Sequence, residues 1–212
     1  MKPALVIIGC GGHARVVFDA AAAMGVHRIV GFWDRPEEGG KEFLGLPVVH
    51  SLDEVKAVLR AQAVVVGFGV PLSSRVQCFD QILAECLQPA PIVHPSAVVS
   101  PVAAVGDGTV VLAGAVINSS AKIGRNAIVN TSAVIEHDCE VGSHAHVAPG
   151  AILTGGVRVG DQAFVGAGAV VLPGICVGAG AVVGAGAVVN RDVDPGLVVY
   201  GNPARVSHES RE

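Results

Sequence analysis

The sequence predicts a small Rossmann-like α/β domain followed by a parallel β-helix of hexapeptide repeats, with the boundary at residue 90. Seventeen consecutive six-residue repeats run without insertion from Ile92 to Val193. Strand and helix patterns alternate before them, and a glycine-rich turn follows the first strand. A fixed period this short is typical of a solenoid of short strands. We therefore assign residues 1–90 to the α/β domain and residues 91–212 to the β-helix.

The α/β prediction rests on roughly the first 88 residues, where short aliphatic runs alternate with helical segments. Such alternation favours a small parallel sheet. Two prolines, Pro89 and Pro91, mark the junction with the repeats. The predicted strands are Ala4–Ile8, Arg28–Asp34 and Ala63–Gly67, and the predicted helices are one ending at about Met24, Leu52–Arg60 and Ser73–Cys86.

A glycine motif follows the first predicted strand. Gly9, Gly11 and Ala14 fit the Gly-x-Gly-x-x-Ala pattern of dinucleotide-binding turns. Asp34 ends the second predicted strand, where a ribose-binding acid would lie, and backbone N–H groups at the helix start would favour a phosphate. A nucleotide-linked ligand is the main interpretation. A tight turn without a ligand is the alternative, and a nicotinamide cofactor is disfavoured because about 90 residues make only half of a dinucleotide fold.

The repeats predict a triangular coil of three hexads, or 18 residues, in which each hexad supplies a short strand and a corner. The second position is Val, Ile or Leu in all seventeen hexads, so it should point inward and stack on its equivalent in the next coil. The sixth position is Ala in twelve hexads, which suits the tight space where faces meet. The many glycines suit corners that need positive φ. One internal column would contain Ile123, Val141, Val159 and Val177.

Composition limits the partners and the compartment. The net charge of −4 gives no bulk electrostatic reason to bind nucleic acid. No stretch approaches the length of a membrane span, and the apolar start at Ala4–Ile8 is too short for a signal peptide. The five cysteines form no CxxC pair, which argues against a disulfide frame or structural zinc. We expect a cytoplasmic protein with neither nucleic acid nor membrane as a partner.

Charged residues are scarce in the repeats, and their densest cluster surrounds His137. His137 takes the fourth hexad position, at a corner, with a carboxylate on each side. A neighbouring anion favours the imidazolium that a general base forms, so this histidine can serve as a general base. Gly155 follows 18 residues later, one coil above, where a bare N–H could bind an oxyanion. A solvated corner histidine is the alternative. No Ser-His-Asp set is evident, which favours direct attack by the acceptor.

A metal site is a further alternative, because some hexapeptide β-helix proteins bind zinc through three histidines. Here His137, His144 and His146 take the fourth, fifth and first hexad positions and should point in different directions. Cys139 takes a sixth position and should pack inward. We therefore expect no metal.

Four features of the chain resemble the bacterial nucleotide-sugar acetyltransferases of the hexapeptide-repeat family. They are the turn GCGGHAR, the strand end at Asp34, the segment NTSAVIEHDCEVGSHAHVAPGA and the closing VYGNPARV. These enzymes acetylate nucleotide-linked 4-amino-4,6-dideoxysugars, and the sialic acid O-acetyltransferases are their relatives. The resemblance covers essentially the whole chain. It implies a left-handed parallel β-helix, acetyl-CoA as co-substrate and a homotrimer.

The resemblance also implies roles for particular residues. His137 matches the family's base, and Asp138 matches the carboxylate that orients it. Relatives often carry an Asn or Asp just after the strand that ends near Gly69, and Val70-Pro71 departs from that pattern. Acetyl-CoA would lie in the groove between adjacent prisms, near His146, Ala167 and Ala185. The nucleotide-sugar would be held by Gly11, Gly12, His13, Trp33, Asp34 and Gly69.

The sequence therefore predicts an acetyl-CoA-dependent N-acetyltransferase that acts on a nucleotide-linked 4-amino-4,6-dideoxysugar. GDP-perosamine is the first candidate, for overall resemblance to perosamine N-acetyltransferases, with a place in O-antigen and lipopolysaccharide biosynthesis. One alternative is O-acetylation of a sialic acid, which would need a cationic clamp for the carboxylate. Another is a non-catalytic nucleotide-binding solenoid, which has no need for a carboxylate-flanked corner histidine.

Overall fold

The computed structural model of the protein describes residues 1–35, 40–70 and 72–207. The chain divides into two compact units, one ending at Pro95 and the other beginning at Ser96. The division falls a few residues beyond the predicted boundary at residue 90, after the first hexad has begun. None of the helices in these ranges has the length and apolar character that crossing a bilayer would need.

The first unit is a small α/β domain built on one sheet, with the strand order β3-β4-β2-β1-β5. Strand β1 is fully buried and runs parallel to its neighbours β2 and β5. Ile8 at its end pairs with both Trp33 and Val66, so three strands finish at the same edge of the sheet. The strands are β1 (Ala4–Ile8), β2 (Arg28–Trp33), β3 (Glu42–Phe43), β4 (Leu46–Val49) and β5 (Ala63–Val66), and the helices are α1 (Gly12–Met24), α2 (Leu52–Ala57) and α3 (Leu72–Ala84).

The hairpin of β3 and β4 is absent from the sequence prediction. Its turn is formed by Leu44 and Gly45, both at positive φ, and leucine is an unusual residue for the first of these positions. Pro47 lies inside β4 and interrupts the strand pattern. Strand β4 nevertheless pairs in parallel with β2, and β3 adds an antiparallel edge. The sheet is therefore mixed, whereas the sequence predicted only parallel strands.

Helix α2 is shorter than predicted. It begins after Ser51, whose hydroxyl caps the helix by accepting a hydrogen bond from the Glu54 N–H. It ends at Ala57 and not at Arg60, because Arg60 takes a left-handed conformation with φ of 50°. Helix α3 also ends before the predicted Cys86, at Ala84.

The second part of the chain is a left-handed parallel β-helix of hexapeptide repeats. Each hexad contributes a two-residue strand at its first and second positions, as the period predicts. Strands pair in parallel with their equivalents 18 residues away, which confirms the column Ile123, Val141, Val159 and Val177. The repeat strands are β6 (Ile92–Val93), β7 (Val98–Val99), β8 (Ala104–Val105), β9 (Val110–Val111), β10 (Val116–Ile117), β11 (Lys122–Ile123), β12 (Ile128–Val129), β13 (Val134–Ile135), β14 (Glu140–Val141), β15 (His146–Val147), β16 (Ile152–Leu153), β17 (Arg158–Val159), β18 (Phe164–Val165), β19 (Val170–Val171), β20 (Cys176–Val177), β21 (Val182–Val183) and β22 (Val188–Val189), and β23 (Val198–Tyr200) and β24 (Arg205–Val206) close the chain with an antiparallel pair.

The fifth hexad position turns every corner from Gly108 to Gly186 with a left-handed residue, at φ between 51° and 73°. Glycine fills most of these positions, as the sequence predicts, because it has no steric penalty there. The others carry mainly Asn, Asp or Ser, whose short polar side chains suit local hydrogen bonds, and Asp and Asn tolerate this conformation. The non-glycine residues are Ser120, Asn126, Ser132, Asp138, His144 and Gln162.

Two outer faces of the β-helix differ in chemistry. The first hexad position points outward, and on one face it is aliphatic in six successive strands. We call this the valine face: Val98, Val116, Val134, Ile152, Val170 and Val188. On the next face the same position is mostly charged, and Lys122 there forms an ion pair with Glu140 at 3.1 Å. We call this the charged face: Lys122, Glu140, Arg158 and Cys176.

Candidate active site

One of the corners has room for side chains. After each strand of the charged face the third hexad position is glycine, and at Gly106, Gly124, Gly142 and Gly160 an added Cβ would lie 2.5 to 2.7 Å from atoms of the next coil. After each strand of the valine face the third position carries a larger residue, such as Glu136. Polar side chains can therefore collect at the edge between the valine face and the charged face, which we call the histidine corner.

His137 lies at the histidine corner, directly after β13. Its Nδ1 is 2.9 Å from Oδ2 of Asp138, and both side chains are exposed, at 63% and 67%. Asp138 occupies the left-handed fifth position, with φ of 58°. A carboxylate only accepts hydrogen bonds, so the contact places the ring proton on Nδ1 and leaves Nε2 able to accept one. The pair has the arrangement of a general base with an orienting carboxylate.

Gly155 lies against the ring of His137 from the coil above. A Cβ added to Gly155 would come within 2.7 Å of both Cε1 and Nε2 of the imidazole, so a side chain here would displace the ring. The neighbouring Gly156 donates its N–H to the His137 carbonyl at 2.9 Å. Within residues 1–35, 40–70 and 72–207, the Gly155 N–H makes no hydrogen bond. A backbone donor therefore lies one strand from the candidate base, the arrangement that acyl transfer requires.

Asn118 joins the histidine corner, although the sequence did not single it out. Its Nδ2 donates to Oε2 of Glu136 at 2.9 Å. Asn118 and Glu136 take the third position of hexads that are one coil apart, and this 18-residue spacing is the signal that could have found the pair. The bond fixes the carboxylate that immediately precedes His137.

The other histidines of the cluster lie elsewhere. The Asn126 Nδ2 donates to Nδ1 of His144 at 2.9 Å, at the corner after the charged face. His146 lies on the third face and is only 8% exposed. Asn130 Nδ2 lies 3.1 Å from its Nε2, and Phe164 packs edge-on against its ring at 5.1 Å between centroids.

No group of three or more His, Cys, Asp or Glu side chains able to hold a metal occurs among residues 1–35, 40–70 and 72–207. Cys139 is fully buried, as predicted for a sixth hexad position, and its Sγ donates to the Thr154 carbonyl at 3.1 Å. Burial raises the pKa of the Cys139 thiol, which makes it a poor nucleophile. All five cysteines are unpaired.

The residues assigned to acetyl-CoA by resemblance do not meet His137 within one chain. Ala167 and Ala185 are exposed fourth-position residues one coil apart. They follow β18 and β21, at the corner between the third face and the valine face. His146 lies on the third face itself. The valine face therefore separates these residues from the histidine corner.

The first unit holds two adjoining cavities of about 260 and 330 Å³ at the carboxyl ends of its strands. They share Gly9, Asp34, Arg35, Phe68 and Ser74. This is the edge at which parallel α/β sheets bind ligands, next to the point where the strand order reverses. Strand β1 is that point, since chain order proceeds to one side through β2 and to the other through β5.

Asp34 fixes the glycine loop, defined as Gly9 to Gly12. Its Oδ2 accepts a hydrogen bond from the Cys10 N–H at 2.7 Å, and its Oδ1 accepts one from the Arg35 N–H at 2.8 Å. The Trp33 carbonyl accepts a further bond from the Gly9 N–H at 2.7 Å. Burial, and then the negative charge of Asp34, raises the pKa of the Cys10 thiol to about 12. The carboxylate predicted to bind ribose thus also holds the loop in shape.

The predicted nucleotide-sugar residues divide into two sets. Gly11, Trp33 and Asp34 line the cavities, whereas Gly12, His13 and Gly69 are not among the lining residues. A Cβ on Gly11 or Gly12 would meet nothing within 4 Å, so the loop faces open space. Burial, and then the charge of Arg75, lowers the pKa of His13 to about 4. His13 is therefore neutral at physiological pH.

Comparisons with known proteins agree with this architecture. The PglD N-terminal domain family matches residues 4–82, and the bacterial transferase hexapeptide (six repeats) family matches residues 120–155 and 156–191. No protein with a curated description matches the sequence significantly. The fold and the corner histidine thus define a hexapeptide-repeat transferase with a PglD-type first domain.

Solved structures make the family more specific. The acetyltransferase domain of PglB from Neisseria gonorrhoeae FA1090 is 35% identical over 97% of this chain and 100% of that chain, with a TM-score of 0.90. PerB from Caulobacter crescentus, solved with CoA and GDP-perosamine, is 38% identical over 96% and 97%, with a TM-score of 0.89. WeeI from Acinetobacter baumannii AYE is 26% identical over 96% and 99%, with a TM-score of 0.88. The chain belongs to the bacterial nucleotide-sugar acetyltransferases of the hexapeptide-repeat family.

Proposed function

We propose that the protein transfers the acetyl group of acetyl-CoA to the 4-amine of a nucleotide-linked 4-amino-4,6-dideoxysugar, with GDP-perosamine as the first candidate. The observation that carries the proposal is the His137–Asp138 contact at 2.9 Å beneath Gly155. The relative solved with CoA and GDP-perosamine, which shares 38% of its residues with this chain, supports the substrate class. The five unpaired cysteines suit a cytoplasmic location.

The mechanism assigns one role to each group at the histidine corner. The sugar amine attacks the thioester carbonyl carbon, and Nε2 of His137 takes the amine proton as the tetrahedral intermediate forms or collapses. The intermediate then expels CoA and leaves the N-acetyl sugar. Asp138 holds the imidazole in the correct tautomer and stabilises its cation. The Gly155 N–H stabilises the oxyanion. General base catalysis by a histidine is worth roughly 10²–10⁴ in rate.

A homotrimer would supply the acetyl-CoA site. The valine face is an uninterrupted aliphatic strip, with Val98 64% and Ile152 36% exposed in a single chain. Exposed apolar surface of this extent marks an interaction face. A second copy packed there would bring the corner of Ala167 and Ala185 of one chain towards the histidine corner of another. Acetyl-CoA would then occupy the groove between two prisms, near His146.

The first unit would hold the nucleotide part of the acceptor. Its two cavities lie at the switch point of the sheet, and the glycine loop presents backbone N–H groups beside them. Asp34 keeps this loop in place through the Cys10 N–H. Gly11, Gly12, His13, Trp33 and Gly69 would complete the nucleotide-sugar site around it.

The test is release of the CoA thiol from acetyl-CoA with GDP-, UDP- and dTDP-linked 4-amino-4,6-dideoxysugars and with free sialic acid, with product masses measured. We expect turnover with one nucleotide-sugar and the gain of a single acetyl group. Turnover only with sialic acid would instead assign an O-acetyltransferase. Binding of a nucleotide-sugar without turnover would indicate a non-catalytic solenoid.

A further inference from the structure

Arg75 is the largest fully buried side chain in the described part of the chain, and its helix neighbours Ser74 and Cys78 line one cavity of the first unit. It belongs to the first turn of α3 and has no exposed surface. Its neighbours on the buried side of that helix, Cys78, Phe79 and Ile82, form part of the apolar core. Burying a guanidinium is expensive, because the charge loses its hydration. Packing alone therefore does not explain an arginine here.

The guanidinium holds the segment that follows β5. Its Nη1 donates to the Val66 carbonyl at 3.2 Å and to the Phe68 carbonyl at 2.6 Å. Between these two residues, the Gly67 N–H donates to the Ile8 carbonyl at 2.7 Å, which joins the segment to the end of β1. The side chain thus lies where the strand order reverses, and it is hydrogen-bonded to Phe68, which lines both cavities.

The same segment contacts the glycine loop. Phe68 lines both cavities, and a Cβ built on Gly9 would lie 3.2 Å from its ring. Gly9 itself adopts φ of 102°. A shift of Phe68 would therefore move the beginning of the loop, so the hydrogen bonds of Arg75 act on the loop through Phe68.

The positive charge of Arg75 also reaches the loop. It is the second cause, after burial, of the lowered pKa of His13 in the first turn of α1. That turn contains no acidic residue, and its N-cap Gly11 offers no side-chain cap. The exposed helix start and the buried cation therefore both favour negative charge at the same place.

We propose that Arg75 is a positioning residue of the nucleotide-sugar site, which fixes the glycine loop through Phe68 and lends its charge to binding of the diphosphate. The inference rests on the proposed function and makes it more specific. Arg75 does not touch the reacting atoms, so its loss should weaken acceptor binding while the chemical step is preserved. We expect R75M to raise the KM for the nucleotide-sugar at least about tenfold, or about 1.4 kcal/mol, with kcat nearly unchanged.

The decisive experiment is calorimetric binding of GDP, UDP and dTDP, each compared with its neutral nucleoside, to the wild type and to R75M. We expect the diphosphate to add affinity in the wild type and to add much less in R75M, while the melting temperature falls because the Val66 and Phe68 carbonyls lose their donor. The matched control is R28M, which removes an exposed arginine at the opposite end of the sheet and should bind like the wild type. A merely structural role would weaken the binding of the nucleoside and of the diphosphate equally.

A second pair of variants covers the case in which R75M does not fold. R75K keeps the charge and R75Q keeps only a hydrogen-bond donor, so R75K should retain most of the diphosphate contribution and R75Q should lose it. Equal diphosphate binding by R75K and R75Q, or by R75M and the wild type, would overturn the role proposed for Arg75. It would leave the proposed function of the protein standing. A wild type that binds none of the three diphosphates would overturn the proposed function as well.

Discussion

The two candidate sites of the chain, one in each unit, are built in opposite ways. At the histidine corner, the reactive side chains are exposed additions to a coil whose shape is set by other residues: His137 is 63% exposed and its ring rests on Gly155. In the first unit, Asp34 holds the glycine loop through the Cys10 N–H, and Arg75 is wholly buried. The solenoid therefore separates chemistry from stability, whereas the α/β unit joins binding to stability. Substitutions can test this difference.

The largest effect should come from H137N. We expect kcat to fall by roughly 10²–10⁴, because the proposed general base is lost. The melting temperature should change by less than about 2 °C, since an exposed side chain contributes little to stability. Steady-state kinetics and thermal unfolding measure the two quantities. H144N is the matched control, at a left-handed position that asparagine tolerates, and it should retain activity. Full activity of H137N would remove this histidine from the mechanism.

The next effect should come from I152K on the valine face. A lysine there would place a charge in the proposed interface, so we expect a monomer. The monomer should have little activity, because the proposed acetyl-CoA groove needs two chains. Light scattering after size exclusion gives the mass, and circular dichroism reports whether the coil is intact. A104K places the same side chain at the first position of an exposed strand on the neighbouring face and should stay associated. An active trimer of I152K would place the interface elsewhere.

A smaller effect is expected for G155A. The added methyl group would displace the His137 ring, and a misplacement of about 1 Å can cost up to about 100-fold in rate, so we expect a loss of roughly 10- to 100-fold in kcat. The KM for acetyl-CoA should stay unchanged. G180A is the reverse case: its Cβ would meet no atom within 4 Å, but φ of 66° strains alanine. It should lower the melting temperature and leave kcat intact. Equal kcat for the two variants would contradict the role of Gly155.

The smallest effect on rate, with the clearest effect on stability, should come from D34N. The amide can accept only one of the two backbone hydrogen bonds that Asp34 now accepts, which costs about 1–3 kcal/mol. We expect the KM for the nucleotide-sugar to rise about tenfold, which corresponds to a loss of about 1.4 kcal/mol in binding. The melting temperature should fall in the same variant. D53N, at an exposed residue in the first turn of α2, is the control. A change in KM without a change in stability would show that Asp34 serves only the ligand.

The same contrast explains how much the sequence could predict. In the solenoid the face or corner on which a residue lies is set by its position within the 18-residue coil. The inward columns and the burial of Cys139 could therefore be predicted by counting. The left-handed conformation of Asp138 did not follow, because the glycines alone suggested where positive φ would occur. The Asn118–Glu136 bond could have been found by the same count.

In the first unit the missing features depend on contacts between segments distant in sequence. The burial of Arg75 requires the carbonyls of Val66 and Phe68 to turn towards α3. No local sequence pattern predicts this orientation. The hydrogen bond between Asp34 and the Cys10 N–H joins two strand ends that only the sheet brings together. The hairpin at Leu44 was missed because its turn uses an atypical residue.

The 18-residue register has a consequence for how such a chain can change in length. Removing or adding one hexad between His137 and Gly155 would rotate everything beyond it by a third of a turn, so the two residues would end on different edges. Removing or adding three hexads would keep the angular position of every residue and change only its height, by roughly 4.8 Å. The sequence repeats every six residues, but an insertion or deletion keeps the residues of the histidine corner on one edge only if its length is a multiple of 18.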